Sequence, residues 1–521
     1  MTERRWNGSV WLHLRRVNVG RPNRSIPLPR VRTVLHSTIV LAAVACAGGT
    51  LGSQVPTPIN GFRPEDRVLI GDFTRVNALA ATTDRVYVVY PTAVAIWKPL
   101  ERRWEVPRSP RRPEDLRGVT SAVVDPLDRT LWLATGAAWI HYDPLANRWD
   151  EGPFAVPPAR WPRFGTTVDD AMRDLPQLRA LAPVIATGPS PVRGTLTAAA
   201  RDPLGNGWFL GTSVRGLVFF DRMATDVQPM SLGLRGDVVG AIAVTPDGIW
   251  VATDNDGFHP AGITELTTDL DASSPIGANA VRGLPFNFVR RILPTSSGAW
   301  LATDKGAVRV LRDADQVQRF GVTNGLGDER VLTLVQHRGR IYAGTMRGLA
   351  QSLGDTGFVS IARPFGDPVY SLLSVGDTLW VGTAQGLYGL LPSNDELRMT
   401  EGFRLIAGTT GAIVAIGTIA DTLVAMTPSQ LFWRDPVSGG WSAGPDLGRQ
   451  LGALIAFEPT ARGAWVGGAR GAAFVGATGV ALQFVLAPDQ LPDELTSIAA
   501  AGRYLWIGTR AGLVRFLLTN R

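Results

Sequence analysis

Cysteine is nearly missing from this 521-residue chain, with Cys46 the only one. An internal disulfide framework is thereby excluded, as is any metal site built from a cysteine cluster. Histidine is scarce, and only His141, His259 and His337 lie beyond residue 46. These three are far apart and show no His-Glu-x-x-His spacing, so a zinc centre or a Ser-His-Asp triad would have to be assembled around a single histidine. Lysine occurs only as Lys98 and Lys305, neither in a Gly-Lys-Ser/Thr phosphate loop, and no Gly-x-Ser-x-Gly elbow is present. No cofactor is expected. The apolar run at 33–45 has 13 residues, short of the roughly 20 that span a bilayer.

What the chain does have is uneven charge. Its formal net charge of +7 is contributed by residues 1–46, which hold eight arginines and one acid, leaving the remainder neutral. The basic balance therefore gives the body no phosphate-backbone affinity, and no nucleic-acid partner is expected. An Arg-rich stretch ending at Arg32, the apolar run, and then Ala43-Val-Ala-Cys46 form a secretory leader. The last four residues resemble the lipobox of bacterial lipoproteins, with Ala43 where leucine is usual. The resemblance implies cleavage after Ala45, a lipid on Cys46, and a membrane-anchored protein facing the periplasm or the cell exterior. The alternative is a plain signal peptide with an incidental cysteine. The n-region is long, and an internal start near Val31 would shorten it.

The body repeats itself. Leu131-Trp-Leu-Ala-Thr135, Gly207-Trp-Phe-Leu-Gly-Thr212, Ile249-Trp-Val-Ala-Thr253, Ala299-Trp-Leu-Ala-Thr303, Ile341-Tyr-Ala-Gly-Thr345, Leu379-Trp-Val-Gly-Thr383, Ala464-Trp-Val-Gly-Gly468 and Leu505-Trp-Ile-Gly-Thr509 share one pattern, with weaker copies at Tyr87 and Val424. Most are followed by a turn containing glycine and a second apolar run, and an earlier apolar run precedes them, as at 239–244, 331–335 and 369–373. Strand, tight turn and strand follow from that pattern. Four strands of five or six residues fill one period, which is a β-propeller blade. Helical arrays are disfavoured, because only the segment 169–184, broken by Pro176, carries a helical period. The predicted organisation is a leader at 1–46, a linker at 47–65, and an all-β propeller of four-stranded blades at 66–521. Residues 157–193 read as an insertion between blades, with a lost blade as the other reading.

Gly283-Leu-Pro-Phe-Asn-Phe-Val289, Asn324-Gly-Leu-Gly-Asp-Glu-Arg-Val331 and Gln490-Leu-Pro-Asp-Glu-Leu495 each precede a Trp-x-Gly/Ala-Thr unit or a near copy. They resemble the two-component regulator propeller repeats of extracytoplasmic sensor regions and stand-alone secreted proteins. That likeness implies a sensor-like or scaffolding propeller. The sequence ends in the last strand of a blade, which implies that it carries no kinase of its own.

Strand counting predicts how the propeller closes. The last repeat supplies strands at 495–499, 503–508 and 513–518 and is one strand short, whereas 67–73 has no blade of its own. Pairing the two removes two bare edges. One closure for about ten repeats predicts a single ring of ten, with two smaller rings as the alternative.

Arg215, Lys305, Arg347, Arg470 and Arg510 occupy variable turn positions after the repeated strand in five blades. Together they would form a basic arc for carboxylate or sulfate groups of a protein or glycan partner. Chance placement of arginine in exposed turns is the other reading. The run Asp254-Asn-Asp-Gly257 resembles part of a calcium loop, but Ala252 and Ile263 stand where the first and last ligands belong. The expected function is non-enzymatic binding by a monomer. A propeller hydrolase or lyase acting on a polysaccharide is the alternative, to be decided by whether facing carboxylates stand at the channel mouth.

Overall fold

In Leu505-Trp-Ile-Gly-Thr509 every residue is buried on both faces of its strand, as expected for the second strand of a blade packed between two others. Such sandwiching requires neighbouring sheets on each side, and the computed structural model supplies them. It describes residues 62–63, 66–136, 138–150, 167–188, 192–223, 227–230, 232–257, 259–275, 286–311, 317–361, 366–390 and 403–518. The leader with Cys46, nearly all of the linker, and residues 157–166 and 189–191 of the insertion lie outside this set. Among the described residues no helix is long and apolar enough to cross a membrane.

Ten four-stranded antiparallel sheets are present, and the chain is a β-propeller protein. Blades 1 to 10 begin with inner strands Ala78–Ala81, Ser121–Val124, Leu196–Arg201, Val239–Thr245, Val289–Thr295, Val331–His337, Val369–Val375, Ala415–Ile419, Leu454–Thr460 and Leu495–Ala501. The weak repeats at Tyr87 and Val424 are true blades. The tenth is completed by strand β1 (Arg67–Ile70), which pairs with Gly512–Leu517 in the register Arg67 to Phe516 and Ile70 to Leu513. Leu69 and Phe516 are fully buried in the core between blades 9 and 10, together with Phe62 and Trp465.

The single ten-membered ring is corrected. The inner strands of blades 4, 5, 6, 7, 8, 9 and 10 pack in that order, and blade 10 returns to blade 4. Blades 1 to 3 form a separate arc in the order 3, 1, 2. A ring of ten would enclose a channel too wide for inner-strand side chains to fill, whereas seven lies within the usual four to eight. Two connectors exchange partners to make the division. The segment after β1 leads into blade 1 while blade 10 packs on blade 4, and the segment leaving blade 3 leads into blade 4 while blade 3 packs on blade 1. They meet side by side in a parallel bridge between Asp72 and Leu234, with the Leu234 amide donating to Gly71 O at 2.9 Å.

The outer face of blade 3 is covered by α1 (Val168–Asp174) and α2 (Leu178–Thr187). Thr167 and Asp170 form a capping box at the start of α1. Leu175, Leu178 and Ile185 pack on Trp208, Leu210 and Phe220. The strand register corrects the repeat alignment here. Phe209, not Trp208, occupies the position of Trp250 and faces blade 1, while the Trp208 indole turns to the helices and donates to Asp174 at 2.9 Å.

Candidate functional site

The turns between second and third strands share one edge of the ring, and in blades 5, 6, 7, 8 and 10 a threonine closes them. The Thr345 hydroxyl donates to Gly348 O at 3.0 Å and accepts from the Arg347 amide at 3.1 Å. Thr303, Thr383 and Thr509 repeat the first bond at 2.7, 2.9 and 2.7 Å. Gly348 and Gly512 take φ of +90° and +110°, which a side chain would resist. Each turn is closed by these bonds from within, so its middle residue is directed outward. Lys305, Arg347 and Gln385 are all exposed there.

Four of the five sequence-selected cations share this edge. Arg470, Arg510, Lys305 and Arg347 belong to blades 9, 10, 5 and 6 and are all exposed. Because blade 10 adjoins blade 4, and blade 4 adjoins blade 5, these blades with blade 4 form five consecutive members of the ring. Arg215 does not join them. It belongs to blade 3 in the arc, where its guanidinium donates to Ile185 O on α2 at 3.0 Å and burial lowers its pKa. Acids temper two of the four: Arg510 pairs with Glu494 at 3.2 Å and Arg347 approaches Asp328 at 3.9 Å. Arg470 donates to Arg449 O at 2.7 Å.

Blade 4 places acids between the two basic pairs. Asp254 Oδ1 accepts the Val289 amide at 2.9 Å, and burial pushes this carboxyl up to about 6. Asp304, in the equivalent turn of blade 5, accepts the amides of Asn287 and Phe288 at 2.8 and 3.1 Å. Burial opposes its ionisation, but these hydrogen bonds outweigh it and hold Asp304 below the usual carboxylate range. On the inner strands, Glu458 of blade 9 accepts the Ala500 amide at 3.2 Å and is raised by burial, with Arg291 of blade 5 acting on it in the opposite sense.

His259 lies beside this region. Its Nε2 is 3.1 Å from Asp72 and its Nδ1 3.0 Å from Asp256. The bond to Asp72 is the largest influence, and the imidazole is pushed up to about 9. Asp237 accepts the Asp72 amide at 2.7 Å and is raised by burial. With both ring nitrogens held by carboxylates, His259 has none left to act as a base toward a substrate. The cluster fastens the connector after β1 to blade 4. Local sequence gave no sign of it, because Asp72 reaches His259 only through the exchange of connectors. The other two histidines also have structural partners: His141 meets Asp150 at 3.1 Å and buried His337 meets Ser374 at 2.8 Å. Among the described residues no group of three His, Cys, Asp or Glu is placed to hold a metal ion.

No family model matches the chain, and no curated protein matches it. Solved structures align with it only at low identity. Virginiamycin B lyase from Staphylococcus aureus is 15% identical, with 55% of this chain and 96% of that one covered and a TM-score of 0.44. The extracellular domain of the hybrid two component system BT3049 from B. thetaiotaomicron is 14% identical at a TM-score of 0.44, covering 85% of this chain and 56% of that one. PorZ, a surface component of the type-IX secretion system of Porphyromonas gingivalis, is 12% identical at 0.45, covering 85% and 69%. The chain thus spans little more than half of the BT3049 domain. The fold assignment stands on the ten blades themselves.

Proposed function

We propose that this is an exported β-propeller, held at a membrane by a lipid on Cys46, whose ring binds a partner protein or glycan without chemical turnover. Its role is sensor-like or scaffolding, in keeping with the resemblance to two-component regulator propeller repeats. The observation that carries the reading is the set of exposed cations Arg470, Arg510, Lys305 and Arg347, two adjoining pairs of blades on either side of blade 4. Guanidinium groups so placed suit carboxylate or sulfate groups on a polymer. The test is retention on immobilised dextran sulfate and polygalacturonate. Arg347→Ala with Arg510→Ala is expected to weaken retention in a salt-sensitive way at unchanged Tm. Retention indifferent to both salt and the substitutions contradicts the reading. For the anchor, Cys46→Ala is expected to release the protein or leave it uncleaved, and unchanged mass and membrane fractionation would count against it.

One observation favours the second reading, a hydrolase or lyase. Asp254 and Asp304 are carboxylates whose environments drive their ionisation apart, the pattern of a general acid beside a permanent anion. Against it, both are engaged by backbone amides: Asp254 by Val289, which fastens blade 4 to blade 5, and Asp304 by Asn287 and Phe288 at the entry to its own blade. Polysaccharide cleavage by the parent protein that is lost in Asp254→Asn would favour the enzyme.

A further inference from the structure

Five hairpin turns on one edge of the three-bladed arc end in an apolar side chain. The turns joining strands one to two and three to four of a blade lie at the same edge, opposite the edge described above. In the arc they carry Leu100 in blade 1, Leu127 and Leu145 in blade 2, and Leu204 and Met223 in blade 3, exposed by 69, 75, 85, 48 and 89%. Only the turn at Thr82–Arg85 is polar. Four of the tips have a common cause. Asp125, Asp143, Asp202 and Asp221 each accept the amide two residues on, at 2.8, 2.8, 3.3 and 2.7 Å. That turn places the third residue in solvent, where glycine, asparagine or serine is usual. On the ring the same edge is mixed: Ser296-Ser297, Arg338-Gly339 and Ala461-Arg462 are polar, while Val244, Leu353, Val375, Val437, Val480 and Leu517 are exposed among them, Val437 in the same kind of aspartate turn, with its amide donating to Asp435 at 2.8 Å.

We propose that this edge of the arc rests on a lipid surface. The tips stand on separate turns, and the charge beside them is mixed: Arg102, Arg129, Arg148 and Arg222 are exposed, as are Glu101 and Asp128, and Arg148 pairs with Asp150 at 2.8 Å. Apolar ends that dip into the headgroup boundary are how peripheral segments bind membranes. The proposal rests on the reading that Cys46 is lipidated. Twenty residues separate Cys46 from Arg67, a reach of at most about 70 Å when fully extended. A body so tethered meets the bilayer continually, and weak insertion at several tips then suffices.

The chain's single cysteine makes the test direct. Full-length protein purified from membranes, carrying Leu127→Cys, Leu145→Cys or Met223→Cys, is labelled with an environment-sensitive dye. It is then placed in protein-free vesicles of phosphatidylethanolamine and phosphatidylglycerol. Expected at all three tips are a blue-shifted emission and quenching by a lipid-phase quencher, with neither at Ser297→Cys on the ring. Tips that behave like Ser297→Cys overturn the proposal, as does a shift found only in native membranes, which would assign the edge to a protein. Failure of the anchor is separately visible, because an unlipidated Cys46 takes a second label, counted by mass.

Discussion

Gly508 sits so close beneath Val239 that a β-carbon added to it would stand 2.6 Å from Val239 Cγ1. The same relationship joins Gly344 to Val369 between successive blades, at 2.7 Å. Its occurrence between blades 10 and 4 is therefore the signature of a closed seven-membered ring. Gly211 repeats it against Val76 at 2.6 Å, which makes blade 3 the neighbour of blade 1.

Gly508→Ala is expected to cost about 1–3 kcal/mol through overpacking, read from urea unfolding. Amide exchange should accelerate in blades 10 and 4. Gly211→Ala should show its losses in blades 3 and 1. Faster exchange in blades 10 and 1 after Gly508→Ala would restore the ten-membered ring.

The closing strand makes a second prediction. Leu69 and Ile70 are fully buried, on opposite faces of β1. Leu69→Ala or Ile70→Ala removes a packed side chain from one side of the weld, an expected loss of about 2–5 kcal/mol each. Deleting 66–75 should destabilise the ring cooperatively, since it exposes the edge of Gly512–Leu517. A deletion that leaves the unfolding midpoint unchanged contradicts the closure.

The blades and the closing strand were legible because both are local arithmetic: a period in the sequence, and one strand missing where another was spare. The division into seven and three was not. A connector such as 71–76 looks the same whether it leads to an adjacent blade or crosses to a distant one, and only packing at Gly508 and Gly211 decides. The same limit applies to the site. Arg347 and Arg510 could be placed on one edge from their turns, but Arg215, equivalent in the repeat, belongs to the arc and is engaged by α2. By sequence Trp208 and Phe209 fit the blade-aromatic position equally well, and the strand register selects Phe209. The Trp208 indole is explained by Asp174, in an insertion that has no counterpart in other blades.

The connector crossing predicts a pH response. His259 between Asp72 and Asp256 has a pKa of about 9, against about 6.5 in an unfolded chain. Folding therefore gains from its protonation, fully below pH 6.5 and progressively less as pH rises through 9. With one third of the side chain exposed, the gain is about 1–2 kcal/mol once solvent screening is allowed for. Asp254 acts at lower pH. Its carboxyl at about 6 makes folding favour the neutral form, so its cost is absent below about pH 4 and complete above pH 6. Both contributions make stability decline toward alkaline pH, and they are separable by substitution. His259→Gln should flatten the decline between pH 6.5 and 9 while lowering Tm at pH 6. Asp254→Asn should remove the part between pH 4 and 6 and leave the alkaline limb intact. Tm measured across pH 4–10 checks both, and an alkaline limb in His259→Gln parallel to that of the parent would show that the Asp72–His259–Asp256 clamp does not hold the crossing.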